Sequence, residues 1–305
     1  MKKAFLQLHA AIFLAGFTGV LGRLITINEG LLVWYRMFFS AVFLLALSFF
    51  SKKIKFLPWR QALPLIGIGA IVALHWVFFY GSVKYANVSV SLVCFSTMGF
   101  FSAFLDPLIS KRKMDLIEIL LGIMVMLGVY LIFHFDQAYR WGIIYGIISS
   151  ILSAVFTIIN KKYVDKHDAQ IITFYELGGG WLSLNFVLPF YLQFVDFSSY
   201  FPNLSDFLWL LVLSLFCTVL AFNLSIKALK KISPFTVNLS YNLEPVYGIL
   251  LAFVIYKEHL DLEISFYAGL FIIFLTVSIF NFFILLCEYL ISLMGLSLFP
   301  PTHIF

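Results

Sequence analysis

Ten apolar segments, each long enough to cross a bilayer, occupy almost the whole of this 305-residue chain. They run over 4–22, 31–50, 63–83, 88–109, 117–135, 141–159, 170–194, 206–226, 233–256 and 264–287. About 20 apolar residues match a hydrocarbon core of about 30 Å, so each segment can cross as a helix. In lipid a single segment satisfies its own backbone hydrogen bonds only as a helix. The expectation is an all-α integral membrane protein with ten transmembrane helices. The even count divides into five and five, and a unit with an odd number of spans inserts upside down relative to its copy. Two inverted five-helix repeats are therefore predicted, over 1–137 and 138–287, followed by an apolar tail at 288–305.

The positive charge falls on alternate connections. With the N-terminus inside, the inner connections carry Lys2, Lys3, Lys52, Lys53, Lys55 and Arg60, then Lys111, Arg112 and Lys113. Lys161, Lys162, Lys166, Lys227, Lys230 and Lys231 complete the inner set. The outer connections hold Arg23, Lys84, Arg140 and Lys257, and Arg36 lies within the second span. Fifteen against four is a strong positive-inside bias over short loops, which predicts both termini on the cytoplasmic side.

Composition excludes the soluble classes. The chain is 62% hydrophobic and 11% charged, with mean hydropathy +1.01, whereas soluble domains are about 45–50% apolar and about 25% charged. The longest connection, around 195–205, is too short to hold a soluble domain. A net charge of +5 would suit a nucleic-acid partner, but topology already accounts for the lysines, so none is expected. The first span resembles a signal sequence but has a longer apolar run and no small-residue cleavage site, and it is expected to stay. Cys94, Cys217 and Cys287 all fall in spans without metal-ligand spacing and read as packing residues. No cofactor or metal site is expected.

A shift of 147 residues lays the fourth and fifth spans onto the ninth and tenth. Lys84 then meets Lys231, Val90 meets Val237, Leu92 meets Leu239, Ile117 meets Ile264 and Gly122 meets Gly269. Trp34-Tyr35-Arg36 in the second span answers Phe174-Tyr175-Glu176 in the seventh. The order of spans and the opposed loop charges carry the repeat more than these few identities do.

On these features the chain resembles the EamA-type transporters of the drug/metabolite transporter superfamily, over about 1–287. The resemblance rests on the two halves, on Tyr35-Arg36, and on the end of the second half, Ile232-Ser233-Pro234, Glu244-Pro245, Lys257-Glu258 and Gly269. The first half departs from it, with Met98 in place of the proline and Lys111 in place of the glutamate. The resemblance implies an inner-membrane exporter or importer of small metabolites, with its cavity between the halves.

An ionisable side chain inside a span costs about 2.5–3.5 kcal/mol on insertion scales, so it turns toward the bundle interior or water. Glu244 lies mid-span, next to Pro245, which withholds a backbone donor. Asn238, Tyr241, Asn242 and Pro245 share one stripe, with Glu244 at its edge. The functional reading is a cavity wall, with the amides binding substrate and Glu244 carrying a proton or a charge contact. The structural reading is a polar clamp between helices. Arg36 and Glu176 read as paired or anchored at the interface, and Gly178-Gly179-Gly180 as a close helix contact. Asp106 reads as a salt-bridge partner of Lys111 or Arg112. His75 could titrate, or could stay neutral on a neighbouring carbonyl. Trp76 and Tyr80 share a face that suits a cavity, and Ser91, Asn223 and Arg36 complete the set of candidate substrate contacts.

Three function classes compete. A secondary transporter of small metabolites such as amino acids, working by alternating access and in the export direction, is the reading adopted. Protons are candidate co-substrates and the bilayer is the one expected macroscopic partner, with oligomeric state left open. A membrane channel or a non-transporting scaffold is the alternative, but no repeated pore-lining motif is found. A membrane enzyme would need clustered His, Asp or Glu, and neither a phosphate-binding glycine loop nor a zinc-type His motif is present.

Overall fold

A computed structural model describes residues 2–51, 56–133, 139–194, 200–260 and 262–293. Among these residues every regular element is helical. The helices are α1 (Lys2–Leu24), α2 (Glu29–Ser51), α3 (Trp59–Tyr85), α4 (Val88–Phe95), α5 (Met98–Ser110), α6 (Leu116–Phe133) and α7 (Arg140–Lys161). They continue as α8 (Ala169–Tyr191), α9 (Leu204–Ser214), α10 (Ala221–Leu229), α11 (Pro234–Ser240), α12 (Glu244–Tyr256) and α13 (Ile264–Leu293). Taking α4–α5, α9–α10 and α11–α12 as single spans, eight helices are long and apolar enough to cross a membrane. Two shorter apolar stretches, Leu116–Leu131 and Ile264–Thr276, occupy the fifth and tenth expected positions. The apolar tail expected at 288–305 lies, beyond Leu293, outside the described residues.

Local chemistry sets the helix ends. Asn87 accepts from the Val90 N–H at 2.8 Å, Asn203 from Asp206 at 2.8 Å and Ser233 from Thr236 at 3.1 Å, each answering a backbone donor left open in a first turn. Pro234 follows Ser233 at the first helical position, where its missing N–H costs nothing. At the other end, α5 and α12 both stop at a lysine in the left-handed region, Lys111 and Lys257, each with φ 56°.

Three spans are interrupted midway, and these interruptions shape the interior. Between α4 and α5, the Thr97 N–H turns back to the Cys94 carbonyl at 3.1 Å, and the Thr97 hydroxyl meets that carbonyl too. Between α9 and α10, residues 215–220 widen into a π-helical turn. Between α11 and α12 the cause is Pro245. It has no N–H for the Tyr241 carbonyl, and the Glu244 N–H takes that carbonyl in a 3₁₀ turn over Tyr241–Leu243.

Packing places α3 between α7 and α8, α1 against α10 and α12, and α6 against α13. The α3–α8 approach needs glycine. A Cβ on Gly69 would lie 2.8 Å from the Gly180 nitrogen, and one on Gly179 would lie 2.6 Å from the Ile66 Cα. The close contact expected of Gly178-Gly179-Gly180 therefore comes from Gly179 and Gly180, while Gly178 faces open space. Large apolar side chains such as Phe186, Phe190, Leu250 and Val254 stand on the outside of the bundle, as a lipid-facing surface requires.

Candidate functional site

The three interruptions and α1, α2, α3 and α7 enclose a central cavity, with about 80 Å³ open to the centres of water-sized bodies. One water needs about 10–15 Å³ of such space, so the cavity holds several waters or a small solute. Trp76, Phe79, Phe95, Phe156 and Phe222 form an aromatic wall. Arg36, His75, Asn160, Asn238 and Glu244 supply polar groups between them.

Arg36 enters from α2 and is 2% exposed. Its Nε donates to Thr218 Oγ1 at 2.7 Å, Nη1 to the Tyr80 hydroxyl at 2.7 Å and Nη2 to the Cys217 carbonyl at 3.4 Å. Its Cζ lies 3.7 Å from the centre of the Trp76 ring, a cation–π contact strengthened by exclusion of water. Cys217 and Thr218 belong to the π-helical turn, whose widened ladder leaves oxygens free for an outside donor. The expectation that Arg36 snorkels to the interface or pairs with an acid is corrected. Tyr80 and the open turn hold it inside, and among the described residues no carboxylate comes within ion-pair distance.

The 3₁₀ turn redirects the polar stripe of the ninth span. With three residues per turn, Asn238, Tyr241 and Glu244 come onto one face and line the cavity. Asn238 also donates to Ser102 Oγ at 3.2 Å. Asn242 turns away toward α5, where its amide nitrogen would lie 3.6 Å from a Cβ at Gly99, and its side chain is buried without a hydrogen-bond partner among the described residues. Glu244 is 4% exposed, facing the cavity, and its carboxylate makes no ion pair among the described residues.

His75 lies 2.9 Å through Nδ1 from the Ser149 carbonyl, with its ring stacked on Phe95 at 5.4 Å between centres. A proton on Nδ1 serves that carbonyl and leaves Nε2 an acceptor in the neutral ring. Four candidates do not line the cavity. Tyr80 backs Arg36 from behind it. Ser91 is buried between the Ser82 hydroxyl, 2.8 Å away, and the Asn87 carbonyl, 2.7 Å away. Asn242 faces α5, and Asn223 lines a separate hollow with Leu44, Leu47 and Gln170.

Sequence reading missed α7. Ser153, Thr157 and Asn160 line the cavity at i, i+4 and i+7, a spacing that marks one helix face. It also misjudged Glu176, which is fully buried, faces the Asn160 amide and makes no ion pair among the described residues, and so is neither ion-paired nor at the interface. Asp106 stands as expected, 3.0 Å from Arg112, which also pairs with Glu118.

Both ends of the cavity are tied. At one end Arg23 pairs with Glu258, whose carboxylate also accepts the N–H groups of Val88 at 3.1 Å and Ser89 at 2.9 Å at the start of α4. The Arg23 guanidinium lies 4.4 Å from the centre of the Tyr256 ring, and the Tyr256 hydroxyl donates to the Val20 carbonyl at 2.7 Å. At the opposite end Lys161 donates to the Leu229 carbonyl at 2.6 Å, joining α7 to α10.

A multi-pass helical bundle with broken spans around a polar central cavity has the build of a membrane transporter. The sequence pattern of the EamA-like transporter family matches residues 2–134 and again 140–294, and the chain belongs to that family. It is similar to an uncharacterized transporter of Archaeoglobus fulgidus, 24% identical over 229 residues, covering 74% of this chain and 78% of that one. An uncharacterized transporter of Haemophilus influenzae is 27% identical over 154 residues, 48% of this chain and 50% of its own length. A solved crystal structure shares the fold with a TM-score of 0.68 and 14% identity, over 93% of this chain and 98% of that one.

Proposed function

We propose that this protein is a secondary transporter that exports a small dipolar metabolite, an amino acid or a close relative, by alternating access. The observation that carries the reading is the pair of opposite charges on one cavity, Arg36 and Glu244, that do not pair with each other. A solute with a carboxylate toward Arg36 and an ammonium toward Glu244 satisfies both, and the aromatic wall receives its apolar part. Protons are the natural competitor for Glu244: a carboxylate that binds either a proton or an ammonium exchanges one for the other as the cavity changes sides.

The rest of the arrangement follows from the loop charges. The positive-inside bias puts the termini and the Lys161 end on the cytoplasmic side of the cytoplasmic membrane, and the Arg23–Glu258 end outside. Two separate stretches matching one family pattern support two halves of five helices each, in inverted orientation. The cavity extends toward Asn160 and Leu229 at the inner end, while Arg23, Tyr256 and Glu258 tie the outer end.

The test uses reconstituted protein lacking Cys94, Cys217 and Cys287 and carrying Asn238→Cys. A panel of amino acids, nucleosides and toxic analogues is screened for transport, and each is then tested for protection of the new thiol from a membrane-impermeant reagent. Transported solutes should protect it, and Glu244→Gln should weaken the dependence of transport on the pH gradient. Labelling that ignores every transported solute would remove the cavity from the transport path.

A further inference from the structure

Glu176 on α8 has no place in the cavity wall, and its surroundings are unusual. It is 0% exposed, and both carboxyl oxygens lack a hydrogen-bond partner among the described residues. The group facing it is the side-chain amide of Asn160 on α7, also 0% exposed, whose nitrogen and oxygen are equally without a partner. Four buried polar atoms from two helices thus lie together with only one another to bind among the described residues, where nearly all such atoms in folded proteins are well paired. Glycines hold the site shut: Gly69 of α3 packs on the backbone of α8 at Glu176 and Gly180, and Met37 of α2 closes on Gly180.

Among the described residues no fixed cation compensates Glu176. Arg36 on α2 is committed to Tyr80, Thr218 and Cys217, and His75 on α3 to Ser149. Lys161 on α7 is committed to the Leu229 and Ile232 carbonyls, and Lys227 on α10 points to the outside of the bundle. Arg60 and Lys84 stand at the two ends of α3. A carboxylate buried with no cation and no donor costs several kcal/mol, which a neutral acid avoids.

We propose that Glu176 and Asn160 form a proton-binding site, and that the Asn160 amide reports its state to the central cavity. Asn160 is suited to this because it touches both: it lines the cavity and faces Glu176. A protonated Glu176 donates its O–H to Asn160 Oδ1 and leaves the amide N–H₂ to offer the cavity a donor. With the proton gone to water admitted past Asn160 on opening, the carboxylate takes an amide N–H instead, and Oδ1 turns to the cavity as an acceptor. One proton thereby reverses the hydrogen-bonding sense of a cavity wall from a site behind that wall. The Glu176 site is separate from Glu244, and its existence does not depend on the transport reading.

Infrared spectroscopy of the purified protein in bilayers tests this with the proton as the only ligand. At neutral pH the spectrum should contain the C=O stretch of an un-ionised carboxylic acid that Glu176→Gln removes and Glu244→Gln leaves. Asn160→Ala, which keeps Glu176 in place, should shift that band by removing its hydrogen-bond partner, and it carries the test if the glutamine variant does not insert. Raising the pH should abolish the band while circular dichroism stays native, with release of a proton to a pH dye. A band that survives Glu176→Gln, one indifferent to Asn160→Ala, or one that persists until the protein unfolds would each overturn the inference. The last outcome would make Glu176 a structural acid.

Discussion

Arg36 on α2 and Glu176 on α8 are both ionisable, both fully buried and both one face away from α3, yet their surroundings are opposite. The cation is met at every turn, by a hydroxyl from α3, a hydroxyl and a carbonyl from the π-helical turn, and the face of Trp76. The acid is met by one amide. The contrast comes from the helix backbone. Each helical carbonyl has two lone pairs and spends one on the ladder, whereas each N–H has a single hydrogen and spends it. A bundle of helices therefore offers surplus acceptors to a buried cation and almost no donors to a buried anion. Donors become free only at a helix start. Glu258 illustrates this, accepting the first N–H groups of α4 at the cavity's end.

If that is the difference between the two sites, removing Arg36 should have the larger effect. Arg36→Ala deletes three hydrogen bonds and a cation–π contact and leaves buried acceptors open, a loss of about 3 kcal/mol or more, read as a fall in detergent melting temperature together with loss of transport. Retention of wild-type stability would mean that the guanidinium is held there for function at no structural gain. Gly69→Ala should come next, because it drives a methyl into the α8 backbone beside Glu176. Overpacking of that kind costs about 1–3 kcal/mol, and melting should report it with little change in the Arg36 half of the cavity. Glu176→Gln should do least to stability, within about 1 kcal/mol, since an amide of the same shape can donate to Asn160 as the acid does and there is no ion pair to lose among the described residues. A large loss of stability there would reveal a donor to the carboxylate and erase the asymmetry between the two sites.

Much of the fold was legible in the sequence, because crossing a bilayer leaves few options. Length and hydropathy locate the spans within a few residues: the third, predicted over 63–83, is Trp59–Tyr85, and the seventh, predicted over 170–194, is Ala169–Tyr191. Six of the ten candidate contacts, Arg36, His75, Trp76, Asn238, Tyr241 and Glu244, share the cavity. Those six were legible because polar atoms in a span have nowhere else favourable to go. Asn242 shows where periodicity fails, and Asn223 where polarity alone does. A regular α-helix puts Asn242 with Asn238, but the 3₁₀ turn forced by Pro245 replaces it with Glu244, and Asn223 lines a separate hollow. The α7 stripe of Ser153, Thr157 and Asn160 carried a readable spacing, but small hydroxyls bond their own helix so often that they stand out little. Thr157 does so here, donating to the Ser153 carbonyl at 2.9 Å.

The sequence by itself determined that this is a multi-pass helical membrane protein, roughly where its eight long apolar helices lie, and which residues are too polar to face lipid. Those are one-dimensional properties, set by the free energy of moving a segment from water to hydrocarbon. Only the tertiary structure decided which polar groups meet. Arg36 reaches Tyr80 across 44 residues and Thr218 across 182, while Glu176 finds one amide and, among the described residues, no charge. Such meetings depend on how closely glycines let helices approach and where a helix loses its regular turn, and neither is written in the polarity of a single span.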